Sequence, residues 1–389
     1  MSVGLKGNAD GSGAIQVGGT DAVTLSTALD TTLAGSLNAP NTFGFKNRII
    51  NGDMRIDQRN AGASVTPTNG QYLVDRWAAA LTQASKFTAQ QNAASVTPPV
   101  GFTNYLGMTS SSAYSVVSSD VFFVKQAIEG LNVSDLAWGT ANAATVTLSF
   151  WVRSSLTGTF GGSLNNSAQN RSYPFTFTIN AANTWEKETI TIAGDTSGTW
   201  LTTNGVGIYL NLSLGVGSTG SGTAGAWAGS AFYSATGATS VVGTNGATFY
   251  VTGVQLEKGR LATSFDVRDY GTELSMCKRY YHRLTAGAIG TRFGLGQAIT
   301  TTTMLANTQF PVTMRAAPTA LEQNGTAANY LVSIAAGTNS AGSAVPTFNS
   351  ADTFEANTIF TIASGLVAGN ASYYSASAVG VYLGWSAEL

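Results

Sequence analysis

One cysteine, Cys277, and one histidine, His282, stand in a chain of 389 residues. A lone cysteine excludes an intrachain disulfide, so the chain is no secreted disulfide scaffold. Its expected role is that of a small buried hydrophobe. Two Cys/His residues in all fall short of a structural zinc site. A Ser-His-Asp triad would have to use His282, which is expected on a helix between Tyr281 and Arg283, where the neighbouring cation lowers its basicity. Charge is scarce as well: Asp, Glu, Lys and Arg make up 10% of the chain, against a usual ~25%. The net charge is -1 and there is no basic stripe, so nucleic-acid binding lacks its electrostatic footprint. No run of ~18 apolar residues occurs, and none of ~7–15 follows Met1 to Asn8. The expectation is a protein made in the cytoplasm without a signal peptide, with no membrane insertion.

What the chain does have is apolar residues, at 43%, ample for packed cores and unlike a disordered composition. Its length exceeds the roughly 250–300 residues at which single cores stop growing, so more than one domain is expected. With few charges, the polar surface is built from Thr, Ser, Asn and Gly, which suits sheets.

The strand signals are strongest between residues 46 and 270. Val146, Leu148, Phe150 and Val152 point one way, while Thr147, Ser149 and Arg153 point the other, a period of two. Phe175, Phe177 and Ile179 repeat it, as do Ile190 and Ile192. So do Ile208, Leu210, Leu212 and Leu214, and then Phe249, Val251, Val254 and Leu256. Glycine, asparagine and serine clusters punctuate these runs. The stretch Gly215 to Gly229 reads as a long surface loop. Residues 272–284 carry helix formers and cations, with Leu274, Cys277 and Tyr281 on one helical face. Beyond 285, strands are expected at Arg292–Gly296, Gln309–Thr313, Tyr330–Ile334, Thr358–Ile362 and Val379–Trp385. The first 45 residues are Gly/Ala/Thr/Ser-rich, with short strands at Ala14–Val17 and Val23–Leu25, and bury too little apolar surface to offset chain entropy alone.

The expected fold is therefore all-β. It comprises an extended N-terminal arm (1–45), a central jelly-roll β-sandwich (46–270), a short linker helix (271–284) and a smaller C-terminal β-sandwich (285–389).

The chemistry of cleavage is thin. Asp53 and Asp57 are each flanked by an arginine, Arg55 and Arg59, and surface salt bridges account for them. Glu186 and Glu188 straddle Lys187 on a strand edge. No carboxylate pair stands in a recognisable glycosidase motif. No cofactor is called for. Jelly rolls often carry a structural calcium ion, but no Asp-rich loop of the EF-hand kind marks a site for one. Aromatics are the better lead, because sugar rings stack on Trp and Tyr while neutral polar groups bond the hydroxyls. The candidates for carbohydrate binding are Trp227, Trp151, Trp185, Trp200 and Tyr233. Trp151 is out of phase with the apolar side of its strand, and Trp227 has glycines on both sides.

Three motifs, in order, carry a family resemblance. The first is Arg48-Ile49-Ile50-Asn51-Gly52-Asp53-Met54-Arg55-Ile56-Asp57-Gln58-Arg59, followed by Tyr72-Leu73-Val74-Asp75-Arg76-Trp77. The second is Val254-Gln255-Leu256-Glu257-Lys258-Gly259, followed by Ala262-Thr263-Ser264-Phe265-Asp266. The third is Cys277-Lys278-Arg279-Tyr280-Tyr281 with the terminal Leu383-Gly384-Trp385-Ser386-Ala387-Glu388-Leu389. Together they resemble phage and prophage tail-fibre or other virion fibre proteins with a carbohydrate-binding-module-like jelly roll. The resemblance implies a homotrimer on the virion that touches host cell-surface glycan. Residues 1–45 are then expected to meet other virion proteins. The motifs themselves read as structural: Asn51-Gly52-Asp53 as a turn with glycine at positive φ, and Asp75-Arg76 as a charge pair beside a buried Trp77. The expected function is attachment to host polysaccharide without cleaving it, hence no enzyme. Two rivals stay open: a purely architectural capsid, neck or tail protein, and a polysaccharide-degrading tail spike.

Overall fold

A computed structural model describes residues 3–9, 12–17, 20–25, 31–33, 46–334 and 338–389. The chain divides into two compact units, Met1–Phe45 and Lys46–Leu389. In the first, Val3–Gly7, Gly13–Val17, Thr20–Leu25 and Thr31–Leu33 pair in sequence order as an antiparallel four-stranded sheet. The two strands expected there lie within Gly13–Val17 and Thr20–Leu25, and they fold back on their neighbours where an extended arm was expected. Leu5 faces Ile15 across the first pair, and both are exposed. Residues 26–30 and 34–45 of the expected attachment segment lie outside the described residues.

The second unit is dominated by an antiparallel jelly-roll sandwich. One sheet runs in the order Ser172–Ile179, Gly158–Asn165, Val206–Val216, Val121–Glu129, Trp77–Leu81, Tyr72–Val74. The other runs Glu186–Ile192, Val146–Ser154, Thr248–Lys258, Leu106–Ser110, Phe87–Gln91. The alternating residues meet between them: Leu148, Phe150 and Val152 from one side, Ile208, Leu210, Leu212 and Leu214 from the other, all in one core. Trp77 is fully buried there, and its indole N–H donates to the Asn51 carbonyl at 3.0 Å.

Past the sandwich, the helix Tyr270–Lys278 is capped by Asp269, whose side chain accepts from the Thr272 N–H. It stops short of the expected 284. Tyr281–Thr285 is instead a strand, paired with Tyr382–Ser386 near the end of the chain. The helical pattern ran on because Tyr281 lies one helical turn beyond Cys277, but Tyr281 and His282 bury more by pairing with that late strand. The smaller β domain follows, and its six strands, from Arg292–Ala298 to Ala371–Ala376, close on one another as a barrel around a second core. Gln309–Thr313 was expected as a strand. The strand is Thr303–Gln309, and the chain leaves the ladder where Pro311 supplies no N–H.

The first and third sequence motifs meet at the seam between sandwich and barrel. Glu388 pairs with both Arg76 and Arg59. The Arg76 guanidinium lies 3.5 Å over the Tyr280 ring. Glu129 accepts from Arg279 at 2.6 Å and from the Tyr280 hydroxyl at 2.6 Å. Asp75 therefore does not pair with Arg76. It accepts from the Gln58 backbone N–H at 2.9 Å and from the Gln58 side-chain amide. In the Asn51-Gly52-Asp53 turn, positive φ falls on Asn51, at 56°, and not on the glycine. Gly52 is required for a different reason, since a Cβ there would sit 2.2 Å from the Val254 carbonyl oxygen. Asn51 is held by its amide, which bonds the Ile56 and Asp75 carbonyls at 2.8 and 2.9 Å.

Candidate functional site: a groove on the outer face of the six-stranded sheet

Strand alternation builds this site. In Val206–Val216 the leucines and isoleucine go inward, which turns Tyr209, Asn211 and Ser213 outward. In Val121–Glu129, Phe122 and Val124 go inward, and Phe123 and Lys125 outward. Register places Asn211 opposite Lys125 and, on its other side, opposite Ser163. Across from Lys125 and Phe123 on the next strand stand Ala78 and Ala80, small side chains that leave room beside the larger ones. The result is a cavity of about 220 Å³ lined by Phe123, Lys125, Asn165, Tyr209, Asn211 and Tyr233, together with Asn69, Val121 and Gln169.

Its parts are held in place. The Tyr233 ring stacks on Phe123, with centroids 4.9 Å apart and planes at 18°. The Tyr233 hydroxyl donates to Gln169 Oε1 at 2.6 Å. The Asn211 amide donates to Asn165 Oδ1 at 2.8 Å and to Ser163 Oγ at 3.0 Å, and Asn165 donates to the Phe232 carbonyl at 3.0 Å. Both Asn165 and Asn211 are buried, and such a network fixes rotamers before any ligand arrives. Lys125 Nζ lies 5.3 Å from the Tyr209 ring centroid. Burial pushes the Lys125 ammonium below its ordinary value and the Tyr209 and Tyr233 phenols above theirs. The lining offers aromatic faces, neutral amides and one cation, and it contains no carboxylate.

Of the five sequence candidates, Tyr233 lies in this groove. Trp227 and Trp200 are brought together with Trp138 and Tyr173 in an edge-to-face cluster at another part of the sandwich. The Trp227 N–H donates to the Ala193 carbonyl at 2.7 Å, and Trp200 to Ser197 at 3.1 Å. The chain after Gly215 forms a short 3-10 turn at Ser218–Gly220 and a two-residue bridge to Ser234–Ala235. Trp185 packs on Tyr105 and donates to the Thr97 carbonyl at 2.9 Å. Trp151 sits on the outer face of the five-stranded sheet beside Phe102 and Phe265, at a second cavity of about 220 Å³. Phe123, Lys125, Tyr209, Asn165 and Asn211 were not singled out in the sequence. Their signal was present in Tyr209 and Asn211, which occupy the alternate positions between the core leucines.

A larger cleft, about 440 Å³, lies at the seam and is lined by Arg59, Tyr72, Arg283, Glu322 and Tyr382 among others. Its cations are already engaged: Arg59 lies between the Tyr72 and Tyr281 rings and pairs with Glu388, while Arg283 stacks on Tyr382 and donates to the Arg59 carbonyl. That arrangement joins the two β domains. His282, placed on a strand and not on the expected helix, stacks near Trp385, and its Nδ1 is buried without a hydrogen-bond partner. Burial lowers its pKa to about 4, so it is neutral at pH 7. The Cys277 thiol is fully buried and pushed well up by desolvation. Asp53 does pair with Arg55, at 2.9 Å. Asp57 instead accepts from the Asn60 and Gly62 N–H groups at 2.9 and 2.8 Å. Among the described residues no group of three or more His, Cys, Asp or Glu stands together to hold a metal.

No family model and no curated protein matches the chain. Solved structures do. A putative sugar binding protein from Bacteroides thetaiotaomicron aligns at 15% identity over 55% of this chain and 100% of its own, with a TM-score of 0.30. The family 11 carbohydrate-binding module from Clostridium thermocellum, in complex with a mixed-linked tetrasaccharide, aligns at 10% identity over 51% and 98%, with a TM-score of 0.26. The enzymatically active domain of bacteriophage CBA120 tailspike protein 4 aligns at 12% identity over 55% of this chain but only 21% of that one, with a TM-score of 0.29.

Proposed function

We propose that this protein is a structural and binding subunit of a phage particle that attaches to host cell-surface polysaccharide through the groove around Tyr233, without cleaving it. The observation that carries the reading is the lining: aromatic rings beside pre-positioned amides, with no carboxylate among them. Aromatic faces take the apolar side of a sugar ring and amides bond its hydroxyls. Hydrolysis by the usual two-carboxylate route would need an acid and a base or nucleophile flanking the bond, and the groove offers neither. The phage assignment is supported by the three sequence motifs, which resemble virion fibre proteins. From the same resemblance we take the subunit to be a homotrimer on the virion, with residues 1–45 meeting other virion proteins. Weak single sites would then act together, since avidity raises affinity by about 10²–10⁴ when copies engage at once.

The test is adsorption of fluorescently labelled protein to host cells, paired with an assay for released reducing sugar. Adsorption without release is expected, and Tyr233→Ala should weaken it about tenfold, the equivalent of one aromatic contact, while the melting temperature moves little. Release of oligosaccharide would overturn the non-cleaving reading. Absence of adsorption would leave an architectural protein.

A further inference from the structure

Several partly buried cations of this unit face a carboxylate, and Lys125, inside the groove, does not. Arg48 faces Asp135 at 2.9 Å, Arg171 faces Asp195 at 2.7 Å, Arg268 faces Glu273 at 3.2 Å, and Arg279 faces Glu129 at 2.6 Å. Arg76, the most deeply buried of them, faces Glu388. Lys125 has no ion pair among the described residues, and its only partner is the Tyr209 ring. It is also only partly exposed, within a cavity whose other polar groups are neutral. Taking an ammonium out of water is unfavourable unless a counter-charge or several acceptors replace the water. A cation–π contact at this distance offsets a fraction of that. Among the described residues nothing supplies the rest.

Resting on the groove being a glycan site, we infer that its ligand is an acidic polysaccharide, and that an anionic substituent on the sugar, such as a uronic-acid carboxylate, docks on Lys125. The partly exposed amide of Gln169 then meets neutral hydroxyls, the Asn165–Asn211 network holds the floor in place, and the Phe123–Tyr233 stack and Tyr209 supply the apolar contact. A charge-assisted bond in a half-buried groove also makes recognition selective, because a neutral sugar leaves the ammonium without a partner.

The full chain is probed on an array of neutral glycans and glycans bearing uronic or sialic acid. Hits are then measured against the same oligosaccharides after carboxyl reduction. Acidic glycans should bind, with carboxyl reduction or Lys125→Gln lowering affinity about ten- to a hundredfold and raised salt weakening binding in the parent. Lys125→Arg should retain most of it, and Lys187→Gln, an exposed lysine on the other sheet, should change nothing. Equal binding of native and carboxyl-reduced ligands, unmoved by Lys125→Gln, overturns the acidic assignment and leaves the glycan groove standing. Binding to no glycan on the array overturns the groove reading itself.

Discussion

Two buried titratable groups should cancel each other's effect on stability in mild acid, and a single substitution should expose the cancellation. Asp75 is 1% exposed, and burial raises its pKa from the ordinary 3.8 to about 6 against the opposing hydrogen bonds of Gln58. His282 is 4% exposed, and burial lowers its pKa from 6.5 to about 4, with Lys278 adding to the shift. A raised pKa in the fold means that Asp75 contributes stability that is fully present below 3.8 and lost as pH rises through about 6. A lowered one means that His282 contributes stability that is present above 6.5 and lost as pH falls through about 4. Between those limits the folded chain holds the aspartate proton and the unfolded chain holds the histidine proton. The two states bind equal numbers, so the slopes oppose. Each swing spans a little over two pKa units, or about 3 kcal/mol. In His282→Gln the histidine arm is gone. The difference in unfolding free energy, parent minus variant, should fall by about 3 kcal/mol between pH 7 and pH 4, and in Asp75→Asn it should rise by about as much. Urea titrations at unit pH intervals measure both, and taking differences removes the other carboxylates from the comparison. A flat difference for His282→Gln across that range would show that the imidazole titrates normally in the fold and that its burial carries no such penalty.

Other expectations concern the scaffold. Trp77→Ala removes a fully buried indole and its bond to Asn51 and should destabilise by about 3–5 kcal/mol, read by thermal melting. A parent-like melt would contradict its place in the core. Glu388→Gln leaves the nearly inaccessible Arg76 guanidinium without its counter-charge and should destabilise by about 3–5 kcal/mol. Protease should then cut first near the C-terminal residues, and a parent-like digestion pattern would show that the seam does not depend on this pair.

The architecture was legible where burial imposes a simple period. The strand Val146–Ser154 and the row Ile208 to Leu214 have one wet and one dry face, so alternation identifies them. Legibility failed for Asn339–Ala351, a long strand whose Ser, Ala and Gly residues stay largely exposed and carry no alternation. It failed again at Tyr281, where pairing with a strand a hundred residues later overrides a local helical pattern. The site was legible in part. Tyr233, which lines the groove, was singled out because it stands in turn-rich sequence, whereas Phe123 was hidden in the apolar run Val121-Phe122-Phe123-Val124, in which inward and outward residues look alike. Lys125 was hidden for another reason. Its significance is the missing counter-ion, and a sequence does not show which cations are paired.

The residues most distinctive in sequence and the residues that line the groove are different sets. Arg59, Asp75, Arg76, Arg279, Tyr280 and Glu388 form a buried polar seam with paired charges and stacked guanidinium groups. Buried pairs of this kind add little net stability over an apolar core, but leaving one partner alone is costly. They therefore penalise alternative dockings of the barrel on the sandwich more than they reward the correct one. The groove instead uses outward positions of strands whose inward neighbours fix the fold, so Phe123, Lys125 or Asn211 can be exchanged without touching the core between the sheets. Under the attachment role proposed above, a seam that holds one geometry and a groove free to vary would let the subunit keep its shape while its target changes. The test of that division is exchange of the groove residues as a set: ligand preference should move while the melting temperature stays within a few degrees, because none of them contributes to the core that Trp77 and the strand leucines build.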